Sequence, residues 1–263
     1  MTSEHYTRTF YERLRSGATR SAEVIVPLVL QLLPVKSVVD VGCGDGSWLA
    51  VFQGLGVQDI LGIDGDHVER HLLQIPPECF RPMDLAKPFH LDRAFDLVIS
   101  LEVAEHLPPE SGSAFVKSLT EAAPAVLFSA AIPHQGGDNH VNEQWPDKWA
   151  ALFREHGYMP IDAIRKRVWQ NGAVEVWYAQ NTLLFARADF VDRNPALMVE
   201  LDRTDLGQLS LVHPRQYLYL ENRYREAVTR AEQLAPPSGV IAASRAMATR
   251  LKNAVRKRLF GNP

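Results

Sequence analysis

Val38-Val39-Asp40-Val41-Gly42-Cys43-Gly44-Asp45-Gly46-Ser47-Trp48 is the stretch that decides how this chain is read. An apolar, β-branched run ends in an acid, and three glycines follow at alternate positions. Such a run suits a strand buried on both faces. Glycine tolerates left-handed backbone and lets a ligand come close to it. A helix starting near Ser47 would direct its first N–H groups at whatever lies over the loop.

The pattern continues outward from this unit. Upstream, residues 5–15 read as a short helix. Ser21 reads as the cap of a second helix, Ala22 to Leu33, with Val24, Ile25, Leu28, Val29, Leu32 and Leu33 at helical spacing. Downstream, Trp48–Leu55 reads as a helix, Gln58–Ile63 as a strand ending at Asp64, and His67–Gln74 as helical. Cys79–Met83 is a short strand ending at Asp84. Phe95–Leu101 is an apolar strand that delivers Glu102, and Glu110–Ala122 is a helix before the strand Ala125–Ala131. After a polar loop over residues 133–146, Asp147–His156 is a helix. Ile161–Trp169 and Val174–Ala186 read as two strands joined by a turn at Asn171-Gly172. Strands alternating with helices predict an α/β, Rossmann-like, doubly wound sheet. It is mostly parallel and seven-stranded, with an antiparallel last strand. A C-terminal helical extension follows. The expected divisions are a main domain over 1–187, a helical extension over 188–235 with a turn at Asn194-Pro195, and 236–263. That last segment combines a Pro-Pro-Ser-Gly linker with a basic amphipathic helix over 244–260.

Composition narrows the function classes. The 263 residues carry a formal net charge of −3, which argues against nucleic acid as a partner of the whole chain. The two cysteines, Cys43 and Cys79, form no motif and read as free thiols in a reducing compartment. The N-terminus shows no signal-peptide core, and no apolar run approaches the roughly 20 residues that span a bilayer. The expected location is cytoplasmic.

Two cofactor classes use a strand, a glycine loop and a helix. The dinucleotide fingerprint requires G-x-G-x-x-G, but the glycines here are 42, 44 and 46, and position 47 is serine. Asp40 would repel a pyrophosphate and suits a cation. S-adenosylmethionine carries a sulfonium and an ammonium and no phosphate. Asp40-x-Gly42-x-Gly44-x-Gly46 resembles the first motif of class I S-adenosylmethionine-dependent methyltransferases. The resemblance places Asp64 on the ribose hydroxyls, Asp84 with Leu85 on the adenine, and Glu102 to His106 beside the methionine part. Arg20 is a candidate for the methionine carboxylate, with a solvated arginine as the competing reading. Further segments resemble a subfamily of bacterial polysaccharide and glycolipid biosynthesis clusters. They are Ser100 to Leu107, Gln135-Gly136-Gly137, His140 to Trp145 and Trp177-Tyr178-x-Gln180-Asn181, with Val212-His213-Pro214 beyond them.

The resemblance implies transfer of a methyl group, an in-line displacement in which the enzyme mainly aligns donor and acceptor. A sugar hydroxyl is a poor nucleophile and gains from a base, for which neutral histidine is suited near pH 7. His140 is the first candidate, with Glu143 three residues on to orient it. His106 is second and His134 third. A metal is the rival use of the same loop: Asp138, His140 and Glu143, with Glu102 or Glu105 added, are candidate ligands for Mg²⁺. Gln135, Asn142, Gln144 and Gln180 are candidates to bond a sugar's hydroxyls, with Trp145 as a stacking platform.

The expected activity is therefore O-methylation of a sugar hydroxyl in a glycan, glycolipid or glycosylated precursor. A small phenolic or other metabolite is the first alternative acceptor. A non-catalytic glycan-binding or scaffold protein of the same fold is the second. Other expectations are a homodimer through the helix over 216–234, and peripheral contact of the basic C-terminal helix with the inner face of the membrane.

Overall fold

The computed structural model describes residues 8–234 and 248–252. One compact unit ends at Gln216 and a second begins at Tyr217. The first is built on seven strands: β1 (Ser37–Val41), β2 (Asp59–Asp64), β3 (Phe80–Pro82), β4 (Leu97–Leu101), β5 (Ala125–Ser129), β6 (Tyr158–Ile161) and β7 (Leu183–Arg187). Their order across the sheet is β3-β2-β1-β4-β5-β7-β6. β1 to β5 pair in parallel, while β7 runs antiparallel between β5 and β6. This is the mostly parallel Rossmann-like sheet that the sequence predicts.

Alternate residues of the central strands enter opposite cores, as the two-residue strand period requires. Val38, Leu97, Ile99, Leu127 and Leu184 join one core. Val39, Val41, Val98, Val126 and Phe185 join the other. Around the sheet lie α1 (Arg8–Leu32), α2 (Ser47–Gly54), α3 (Gly112–Ala122), α4 (Pro146–Glu155), α5 (Arg165–Val168), α6 (Val176–Asn181), α7 (Ala188–Asp192) and α8 (Pro195–Asp202). α9 (Pro214–Leu234) begins in this unit and continues beyond Gln216.

The structure corrects the reading of the N-terminal segment: α1 is one helix, not two, and Pro27 lies inside it. Ser21 does not cap it. Its hydroxyl donates to Gly17 O (2.7 Å) and accepts from Glu175 N (3.0 Å), tying the helix interior to the segment before α6. Gly17 likewise allows close packing, since a Cβ there would lie 2.8 Å from Glu175 Oε1. Small residues that read as a helix boundary are instead a contact surface.

The second correction concerns residues 161–186. The apolar segments expected as a two-stranded hairpin instead hold the short helices α5 and α6, and only β6 and β7 at their outer ends enter the sheet. Asn171 does form a turn, its Oδ1 accepting from Ala173 N (2.9 Å), but the turn links α5 to α6. Short apolar runs do not distinguish strand from buried helix by periodicity. Residues 67–74 hold only a short 3-10 turn at Arg70–Leu72 in place of the expected helix. Asn194, read as a turn, caps two helices: its Oδ1 accepts from Leu197 N in α8 and its Nδ2 donates to Leu32 O in α1. Val191 of α7 and Leu197 of α8 belong to the core, so the compact unit runs past the division expected at 187. The linker over 236–239 and most of the helix expected over 244–260 lie outside the described residues; 248–252 are helical.

Candidate active site

The parallel strands β1, β2, β4 and β5 bring their carboxyl ends to one edge of the sheet, where open α/β folds place ligands. The glycine loop leaves β1 there. Gly42, Gly44 and Gly46 all have positive φ (88°, 52° and 79°), a region that disfavours side chains. They differ in surroundings. A Cβ on Gly42 would lie 2.3 Å from Val103 Cγ2, and one on Gly46 would lie 2.9 Å from Ile75 Cγ1. A Cβ on Gly44 would meet nothing within 4 Å. The loop is thus packed from below at its two ends and open above its middle.

Acids surround this opening. Asp64 ends β2; its Oδ2 accepts from Gly44 N (2.7 Å) and its Oδ1 from Gly65 N (2.6 Å). Asp40 is buried, and burial, followed by the Asp64 and Asp45 charges, pushes its carboxyl well above the usual range. That environment favours a positive group nearby. Burial and the charge of Asp40 also push the Cys43 thiol up, so it is not a thiolate. Asp84 follows β3 and is exposed, held by Lys87 Nζ (2.9 Å) and Ala86 N (3.1 Å). Those hydrogen bonds lower its pKa. Leu85 beside it is buried in the core. Arg20 pairs with Glu175 Oε1 (3.0 Å), so the guanidinium expected at a carboxylate ligand has a protein carboxylate against it.

The segment after β4 abuts the glycine loop through Val103. Glu102 has a φ of 57°, left-handed in a non-glycine residue, a cost of order 1–3 kcal/mol that surrounding structure must support. The support is visible. Its backbone N–H donates to Ser129 O (2.9 Å), and its carboxylate accepts from Gln135 Nε2 (2.7 Å) and Asn181 Nδ2 (3.1 Å). Burial raises the Glu102 pKa, while bonds from Asn181, Ser129 and Gln135 act against it.

This network changes the reading of several residues expected to face an acceptor. Gln135, Asn142 and Gln180 are buried, and their amides bond to protein. Gln180 Nε2 donates to Gln135 Oε1 (3.3 Å) and Asn181 Oδ1 (2.9 Å), and its Oε1 accepts from His213 N (2.8 Å). Asn142 Nδ2 donates to Ala104 O (3.2 Å), and Gln144 Nε2 to Asn142 Oδ1 (3.0 Å). These amides position the edge of the site. Trp145, 40% exposed just before α4, remains available as a platform. Trp177 packs against the core, and Trp169 stacks on His213 with ring centroids 4.5 Å apart.

The polar loop after β5 is folded around one carboxylate. Glu143 accepts from His134 N (2.6 Å) and Gly136 N (3.3 Å), and its Oε1 lies 3.1 Å from His140 Nδ1. His134, Gly136 and Asn139 take positive φ to make this turn. Val141 N and Asn142 N both donate to Glu105 O, at 2.8 and 3.0 Å, docking the loop on the segment after β4. His140 and His106 are thereby brought edge to face, with centroids 4.8 Å apart. Burial and the His140 charge lower the His106 pKa and favour the neutral ring. Asp138 is exposed. Asp138 and Glu143 of the expected ligand set are not in the group assembled, which keeps its His140 and the added Glu105. Among the described residues, Glu105, His106 and His140 converge instead, each offering a ligand atom within 4.8 Å of the others.

Sequence reasoning did not find the role of Val103, the isolation of the Glu105 carboxylate or the amide network. The paired Gln180-Asn181 and the His213-Pro214 segment were the available signals, but only their contact with Glu102 and Gln135 explains them.

Residues 11–176 match a family described as a methyltransferase domain. Among solved structures the chain is similar to the magnesium protoporphyrin IX methyltransferase of Synechocystis PCC 6803, solved with bound SAH. That match has 20% identity and a TM-score of 0.51, and covers 71% of this chain and 90% of the other. The chain is also similar to DesVI of Streptomyces venezuelae (16% identity, TM-score 0.52, covering 72% and 100%). The sugar N-methyltransferase KedS8 of Streptoalloteichus sp ATCC 53650 is a third (16% identity, TM-score 0.52, covering 71% and 97%). No curated protein matches the sequence. No helix among the described residues is long and apolar enough to cross a membrane.

Proposed function

The chain belongs to the methyltransferase-domain family and is an S-adenosylmethionine-dependent methyltransferase; from that premise we propose that its acceptor is a sugar hydroxyl. The observation that carries this reading is the His106–His140 pair with Glu143 behind His140. It stands beside the segment whose Val103 packs under Gly42. Sites for already acidic acceptors need little help with the proton, whereas an alcohol does. A ring pair set at the cofactor end of the sheet supplies that help.

The residues fit the cofactor: open space over Gly44, Asp64 at the end of β2 and a buried Asp40 with no phosphate-binding glycine after Gly46. When bound, S-adenosylmethionine supplies an activated methyl group on a sulfonium. Asp64 would hold the ribose, and Asp84 with Leu85 the adenine. Glu102 borders the methionine end, its carboxylate fixed by Gln135 and Asn181. Glu143 holds the His140 ring, which is 12% exposed, and so sets the direction of its lone pair toward the acceptor proton. Trp145 would stack on the C–H face of the sugar, and Gln144 is the half-buried amide nearest to it in the loop.

One solved relative is a sugar N-methyltransferase, which supports a saccharide acceptor for this chain. The site's family likeness to polysaccharide and glycolipid clusters favours a glycan or glycosylated lipid over a free phenol. A lipid-linked acceptor would also account for the basic, amphipathic sequence over 244–260, for which we propose peripheral contact with an anionic membrane face. The test is a labelled-methyl transfer screen across mono- and oligosaccharides, with phenols as the comparison. Label recovered as an alkali-stable sugar ether supports the reading. Transfer to phenols alone would overturn it.

A further inference from the structure

We propose that Glu105, His106 and His140 form a site for a divalent first-row transition cation of the Mn²⁺, Co²⁺ or Zn²⁺ kind, at the acceptor side of the cofactor cleft. The inference rests on the methyltransferase reading only for what the ion would do, not for its binding.

Two independent observations carry it. One is the convergence of a carboxylate oxygen and two ring nitrogens within 4.8 Å of one another. The other is that Glu105 is 0% exposed and neither of its side-chain oxygens has a hydrogen-bond partner. An unpaired buried carboxylate is costly, and the other two carboxylates at this end of the sheet, Glu102 and Glu143, are paired. Gln135, Gln180 and Asn181 satisfy Glu102, and His134, Gly136 and His140 satisfy Glu143. Among these carboxylates Glu105 is the exception; its neighbours are the Glu102 carboxylate and two ring nitrogens within 4.8 Å. Its backbone oxygen, moreover, fixes the loop that carries His140.

The surroundings suit metal ligation. A metal-binding histidine usually donates its second ring N–H to a carboxylate, which fixes the tautomer and strengthens the donor. His140 has that carboxylate in Glu143, 3.1 Å from Nδ1. His106 is exposed, so its ring is reachable. Two imidazoles and one carboxylate match first-row transition ions and leave coordination positions open. They do not match Mg²⁺, which prefers oxygen ligands. The ion anticipated from the loop sequence is thus replaced by a softer one, on a ligand set shifted toward the segment after β4.

A cation here would take the His140 lone pair that otherwise faces the acceptor proton, and would act as a Lewis acid on the acceptor hydroxyl in place of that base. The hydroxyl proton leaves to solvent, its oxygen forms a bond to the methyl carbon, and the carbon–sulfur bond breaks with its electron pair on sulfur. No oxidant or reductant is involved.

The test measures binding directly. The full chain is treated with chelator, dialysed and titrated with Mn²⁺, Zn²⁺ and Mg²⁺ by calorimetry, with Mn²⁺ followed also by its electron paramagnetic resonance. The expected result is one Mn²⁺ or Zn²⁺ per chain at micromolar Kd or tighter, with Mg²⁺ at least tenfold weaker. Glu105→Gln keeps the shape of the buried side chain, and His106→Ala changes an exposed one. Each should weaken Mn²⁺ at least tenfold in protein whose circular dichroism shows the wild-type fold. Wild-type protein that takes up no ion at millimolar Mn²⁺ or Zn²⁺ would overturn the proposal and mean that Glu105 is simply protonated. Variants that bind Mn²⁺ as the wild type does would overturn it too. Intact metal binding without transfer to any saccharide would leave the site standing and remove the acceptor assignment.

Discussion

Replacing Gly42 and Gly44 separately by alanine should separate what the glycine loop does for folding from what it does for a ligand. Both residues have positive φ, 88° and 52°, and an L side chain there costs about 1–2 kcal/mol. Gly42→Ala adds a Cβ at 2.3 Å from Val103 Cγ2 and 2.8 Å from Cγ1. Val103 is itself buried. Overpacking of this kind costs about 1–3 kcal/mol more, so the sum is about 2–5 kcal/mol. Gly44→Ala adds a Cβ with nothing within 4 Å, so only the first cost applies. That Cβ, however, enters the space a cofactor would occupy. Urea unfolding of the ligand-free proteins should place Gly44→Ala within about 2 kcal/mol of wild type, by the same strain figure, and Gly42→Ala well below it. Calorimetry should show Gly44→Ala weakening S-adenosylmethionine at least tenfold. Adding Val103→Ala to Gly42→Ala should recover part of the steric loss. The reasoning fails if Gly44→Ala is as destabilised as Gly42→Ala, or binds the cofactor as wild type does.

His140→Ala should lower kcat by about 10²–10⁴-fold with cofactor affinity unchanged; equal turnover in a steady-state methyl-transfer assay would remove His140 from the chemistry. Arg165 is 1% exposed, is paired with Asp162 (2.8 Å) and also donates to Leu209 O (2.6 Å) and Gln208 O (3.1 Å). Arg165→Met leaves Asp162 buried and alone, and equilibrium unfolding should show a loss of about 3–5 kcal/mol. Tyr158 donates its hydroxyl toward Thr120 O (2.7 Å) and Ala123 O (2.6 Å), and burial pushes its pKa up to about 12. Because the folded pKa is above the unfolded value near 10, this stabilisation is complete below pH 10 and is lost as pH rises toward 12. The advantage of wild type over Tyr158→Phe should therefore shrink across that window in urea titrations, by about 2.7 kcal/mol in the limit. A constant difference would contradict the assignment.

The parts of this molecule legible in the sequence are those with local causes. The run Val38 to Val41, the three glycines and the acids at 40, 64 and 84 each mark a strand end by chemistry carried within a few residues. The helix split at Ser21 was misread because Gly17 and Ser21 are small for the sake of Glu175, a contact across more than 150 residues. Residues 161–186 were misread because apolar runs of that length serve either structure, and the buried Arg165–Asp162 pair that decides for α5 has no periodic signature. At the site, His140 with Glu143 was readable from three-residue spacing. Glu105 was legible only as an alternative to Glu102 in a ligand set, since its isolation depends on which neighbours found other partners.

The amide network has a consequence in time. Glu102 is held by Gln135 and by Asn181, and the loop of Gln135 is held in turn through its carbonyl by Gln216 Nε2 (2.9 Å). β1, β2, β4 and β5 can pair once residue 129 has left the ribosome, but the last of these clamps waits for residue 216. At synthesis rates of roughly 5–20 residues per second the interval is on the order of ten seconds. During it a sheet would exist whose ligand edge carries a left-handed Glu102 without its full set of clamps. The end of the unit made last in translation is therefore the part that finishes the cleft, and a nascent chain acquires its shape well before it acquires its chemistry.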